Sequence, residues 1–166
     1  KKSGKDYRAF EILNLGKYER QYYSHNFEAK GQEYIDLILR AYSAQPDPSF
    51  KTISGVKNNR LVAIGPVDLP ASRQFITDVI EESVQAKFTK VDVLAFEFEM
   101  GLFPEIQDEA KQKGVDLALK YIPRDVFDKR AIEKNQVTFF DVSYIDVNPH
   151  VKKNAISIEL LEFASH

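Results

Sequence analysis

The sequence predicts an α/β fold: a central parallel β-α-β-α-β unit extended by antiparallel strands toward both chain ends, stacked as a two- or three-layer sandwich. Three observations predict it. After Gly65-Pro66 the hydrophobic rhythm alternates between helical and strand periods, which requires crossover helices and parallel pairing. Before that point two β-leaning runs flank Asn58-Asn59, a pair that tolerates positive φ and so predicts a hairpin. The last part of the chain carries two further β runs without an intervening helix.

The elements follow in chain order. Asp6 to Leu15 alternates apolar and polar positions and reads as a short strand ended by Gly16. From Gly31 to Ala44, Tyr34, Ile35, Ile38, Leu39 and Tyr42 recur at helical spacing, and Pro46 and Pro48 are expected to stop that helix. The segment from Gln45 to Asn59 is the candidate for a flexible insertion, although it includes the hairpin's first run, Phe50 to Val56; Arg60 to Ile64 is the second. Pro70 and Ser72 open a helix with an Ile76, Val79, Ile80 stripe running to about Phe88. Val91 to Phe98 is a strand, Pro104 opens a helix closed by Gly114, and Val115 to Ile122 is the next strand. Leu94, Phe96, Ile64 and Leu119 are expected in its core. A short helical piece spans Pro123 to Lys134, and Val137 to Val147 pairs antiparallel with Ala155 to Phe163 around Asn148-Pro149-His150.

One domain is expected from the 166 residues and 43% hydrophobic content. The lysine-rich residues 1–5 read as a disordered lead-in, and the missing initiator methionine suggests a fragment of a longer protein. No apolar run is long enough for a membrane span or a secretory signal, so a cytoplasmic location without membrane contact is expected. With no cysteine and three histidines, neither a disulfide framework nor a zinc site is expected. The net charge of -2 conceals an asymmetry: 11 Lys and Arg against 7 Asp and Glu up to Arg60, then 12 against 18. The first part can therefore supply phosphate contacts locally.

Candidate chemistry is sparse. A cofactor glycine turn, the polar-Pro-Pro-aromatic loop that holds a target amino group, a phosphate loop, a nucleophile elbow and a deaminase signature are all missing, so no catalytic residue is expected. Two clusters stand out. If Glu97 and Glu99 belong to one strand, they share a face at the carboxyl end of the sheet, where they could hold a cation or read a base; with Asp92 they could support metal-dependent nuclease chemistry. Alternatively they pair with Lys120, Arg124 or the basic N-terminal segment. The second cluster, Lys17, Tyr18, Arg20, Gln21, Tyr22 and Tyr23, interleaves cations with aromatics in a way that suits nucleic-acid or protein contact. It could equally be a helix start covering the core edge.

Leu15 to Gln21, Val93 to Gly101, Tyr121 to Val126 and Val137 to Asp141, in that order and spacing, resemble the region after the catalytic domain in bacterial site-specific, adenine-type DNA methyltransferases related to restriction-modification modification subunits. The resemblance runs from Asp6 to about Phe163. It implies a host that takes DNA as substrate and S-adenosylmethionine as methyl donor, with no cofactor held by this region and no family catalytic residue in it. A non-catalytic module that recognises DNA or docks a partner, such as a restriction subunit, is therefore expected. The alternatives are an endonuclease-like domain using Asp92, Glu97 and Glu99, and a structural or self-associating domain.

Overall fold

The computed structural model describes residues 20–23, 27–152 and 155–164. The expected strand from Asp6 to Leu15 lies outside them. Residues 20–23 form a helical turn, followed by helix α1, Phe27–Tyr42. Tyr34, Ile38, Leu39 and Tyr42 form its buried stripe. The helix stops before either proline, because Ser43 turns left-handed at φ 59 and Ala44 N–H closes back on the Leu39 carbonyl at 2.8 Å.

Six strands form one mixed sheet in sequential order: β1 (Gln45–Pro46), β2 (Ile53–Lys57), β3 (Arg60–Ile64), β4 (Lys90–Ala95), β5 (Asp116–Tyr121) and β6 (Phe140–Asp141). β3, β4 and β5 are parallel neighbours, while β1, β2 and β6 add antiparallel pairs at the two sides. The β-α-β-α-β unit and its antiparallel extensions are thus as expected. Asn58 and Asn59 take φ 48 and 63, the left-handed pair a tight two-residue hairpin requires. The segment from Gln45 to Asn59 is not a flexible insertion, since it supplies β1 and β2 to the sheet. Glu82 helps to fix it: its carboxylate accepts from Lys51, Thr52 and Ile53 N–H at 2.6, 2.8 and 3.2 Å.

The crossovers are α2 (Arg73–Gln85) and α3 (Glu105–Gln112). Ser72 caps α2 by accepting from Phe75 N–H, and Gly114, at φ 75, follows α3 where a side chain would be strained. Alternation along the strands divides the core between the two faces. Odd positions such as Leu61, Val91, Val93, Leu117 and Leu119 pack with Ile76, Val79, Ile80, Ile106 and Ala110 of α2 and α3. Even positions Val62, Ile64 and Leu94 pack with Tyr34, Ile38 and Leu39 of α1 and with Val126 of the 3₁₀ turn Arg124–Phe127. The layers are therefore helix, sheet, helix. Helix α4, Lys129–Glu133, leads into β6.

Four expectations need correction. Strand β4 ends at Ala95, and the extended chain beyond it pairs instead with the α2 entry through the Ala71–Phe98 bridge. The run from Val137 to Val147 divides: Phe140–Asp141 joins β5, whereas Tyr144–Lys152 becomes β7, paired antiparallel with β8, Ala155–Ala164, in a separate two-stranded sheet. Asn148-Pro149-His150 does not separate those strands, because Pro149 lies within β7 opposite Ile158; both strands of a hairpin are edges, where proline is tolerated. Of the expected core residues, Ile64, Leu94 and Leu119 are buried, but Phe96 is half-buried.

Candidate functional site

The parallel strands deliver three loops to one end of the sheet, the end where open α/β folds place ligands. Gly65 makes the first loop possible: a Cβ there would come within 2.9 Å of the Ala95 side chain. Both crossover helices cover the same face, so the parallel strands have no point where successive connections diverge to opposite faces and open a crevice.

Arg20 ties this end together. Its Nε donates to the Val67 carbonyl beyond β3, its Nη1 donates to Glu97 Oε1 beyond β4, both at 3.0 Å, and its guanidinium lies 4.5 Å from the Phe96 ring centroid. Phe96 stacks on Phe127, which stacks in turn on Tyr23. Burial pushes the Tyr34 phenol above its ordinary value; its hydroxyl donates to the Gly65 carbonyl.

The two singled-out carboxylates have separate duties. Glu97 pairs with Arg20, a residue of the basic N-terminal segment, whereas Glu99 accepts from the Arg73 N–H at the start of α2 at 2.9 Å. Lys120 serves neither, because cross-strand register sets it beside Asp141, with which it pairs. Asp92 lies toward the amino end of β4, away from both glutamates, with one oxygen accepting from Arg60 at 2.6 Å and the other from Tyr42 at 2.8 Å. The structure therefore does not gather Asp92, Glu97 and Glu99 into one site. Among the described residues no group of three or more His, Cys, Asp or Glu is placed to hold a metal ion.

Of the cation-aromatic cluster, Lys17 and Tyr18 lie outside the described residues. Arg20 faces the protein as given above, Gln21 and Tyr22 are exposed, and Tyr23 is half-buried against Tyr34 and Phe127. Lys30 lies over the Tyr22 ring and pairs with its hydroxyl. The segment thus reads in part as a helix that covers the core edge, with Tyr22 left at the surface.

Sequence reasoning missed a polar network at the opposite end of the sheet. Arg60, at the start of β3, donates to Asp92 of β4 and to Asp116 of β5, both at 2.6 Å, and so staples three strands. It lines a cleft of about 340 Å³ together with Tyr42, Lys57, Lys120 and Asp141. Burial, and after it the Asp92 carboxylate, push the Tyr42 phenol above its ordinary value, so it stays a donor. The signal was a lone aspartate within the apolar run Val91 to Ala95: a carboxylate in a strand covered on both faces requires a partner.

Among the described residues no helix is long and apolar enough to cross a membrane. No protein-family model, curated protein or solved structure matches this chain.

Proposed function

We propose that this chain is a non-catalytic accessory domain of a site-specific DNA methyltransferase, and that its contribution is docking to a protein partner rather than reading DNA. The observation that carries this reading is the internal use, among the described residues, of Arg20, Glu99 and Asp92, charges that could have served a substrate. Arg20 is held by Glu97, Val67 and Phe96; Glu99 receives the start of α2; Asp92 is enclosed by Arg60 and Tyr42. A phosphate approaching Arg20 would meet the Glu97 carboxylate already bonded to its Nη1.

The DNA methyltransferase context rests on the four resembling segments. S-adenosylmethionine and DNA belong, in this proposal, to the catalytic part of the host, with the present chain joining that part to another subunit or to a second region. The test is reconstitution. The catalytic part of the host and this chain are expressed separately, then mixed and analysed by size-exclusion chromatography and by methyl transfer to duplex DNA. Co-elution with raised or stabilised transfer is expected. A catalytic part that ignores the chain in both assays would overturn the proposal.

A further inference from the structure

Resting on the docking reading, we propose that the docking surface is the aromatic and aliphatic row at the carboxyl end of the sheet, on the α2/α3 face, and that its occupant is a basic, apolar-anchored segment of a protein partner. Phe98 and Tyr121 meet edge to face with centroids 5.4 Å apart, and register sets Phe140 directly beside Tyr121. β6 is the outermost strand, beyond both crossover connections, and Phe140 is 60% exposed. At the same end, Met100 follows Phe98 by two residues at a loop turned by Gly101 and is 96% exposed; Leu69, two residues before the Ala71–Phe98 bridge, is 61% exposed. Large apolar groups gathered at one end of a sheet mark an interaction surface, unlike apolar residues scattered singly.

Charge selects the occupant. Beside the row, Arg73 pairs with Glu105 and Glu109 and its backbone N–H donates to Glu99; Glu109 carries the network on to Lys113, which also pairs with Glu81 toward the other end of the helices. Four carboxylates share two cations, so this network keeps a net negative charge. That field repels a nucleic-acid backbone and favours a segment that places lysine or arginine next to its apolar anchor. Aromatic and methionine side chains supply contact area for such an anchor.

Met100 is the only methionine in the sequence, so ¹³C-methyl labelling of the whole chain places a single reporter in this surface. The probes are a short synthetic amphipathic peptide of leucine and lysine, its leucine and glutamate counterpart, and duplex DNA. The leucine-lysine peptide should shift the Met100 methyl resonance saturably. Phe140→Ser should weaken that binding at least about five-fold, as expected for a residue near the centre of an interface, with circular dichroism showing the variant folded. The leucine-glutamate peptide and DNA should leave the resonance in place. A Met100 methyl silent toward the basic peptide, one shifted equally by both peptides, or one shifted by DNA would each overturn the inference. The reconstitution assay, which does not depend on which surface is used, judges the docking reading separately.

Discussion

Arg60 and Arg20 each bridge several elements at opposite ends of the sheet. Arg60 is the more consequential because Asp92 is only 2% exposed. Arg60→Ala leaves a buried carboxylate without its counter-charge and should cost about 3–5 kcal/mol in urea unfolding. Tyr42→Phe removes one donor from the same carboxylate and should cost about 1–3 kcal/mol. Because both residues bond Asp92, the two losses should not add, which a double-mutant cycle would detect.

Glu82 gives a pH-dependent counterpart. Burial alone would raise its pKa, but the three backbone N–H groups of Lys51, Thr52 and Ile53 outweigh that and hold it below the ordinary carboxylate value. A depressed folded-state pKa contributes stability that is complete above the unfolded value of about 4.3 and is lost as pH falls through the folded value. The stability gap between the parent and Glu82→Gln should therefore be widest near neutrality and narrow below about pH 4. A gap that widened in acid would contradict this assignment. At this scale sequence reading could mark Asp92 as needing a partner, but not Arg60 or Tyr42, which lie 32 and 50 positions away and are brought to it by register and helix packing.

Among the elements, those set by local chemistry were legible in the sequence. Ser72 before an apolar stripe, Asn58-Asn59 between β runs and Gly114 after a helix each state a backbone requirement within a few residues, and each appears as expected. Ser72→Ala should cost about 1 kcal/mol, measurable by thermal unfolding. The misreadings occurred where pairing partners are distant. The run from Val91 to Phe98 read as a strand, but did not show that the partner changes after Ala95; Val137 to Val147 showed β character, but not its division between two sheets. Phe96 follows from the first of these. Lying just past β4, it is held by Phe127, Tyr34 and Arg20 rather than enclosed in the sheet core. Phe96→Ala should cost about 2–3 kcal/mol, below the upper range for a fully enclosed ring. Arg20→Ala should destabilise the same region, because its cation-π contact and its bonds to Val67 and Glu97 are lost together.

For the whole molecule, the candidate site was only partly legible. Glu97 and Glu99 were visible as a pair, and Arg20 as part of a cation-aromatic cluster, but the contact that joins the two clusters spans 77 positions and depends on the completed fold. Once it forms, a group that resembled a phosphate contact becomes a fastening, while the exposed character of this end shifts to Leu69, Met100 and Phe140. Protein docking in place of DNA reading is the central claim, and titration of this chain into labelled duplex DNA across a salt series tests it most directly. Fluorescence anisotropy should show no saturable binding tighter than the non-specific range of about 10⁻⁴ M near physiological salt, and Arg20→Lys should leave the curve unchanged. Micromolar binding with a steep salt slope, flattened by about one phosphate contact in Arg20→Ala while that variant remains folded, would contradict it.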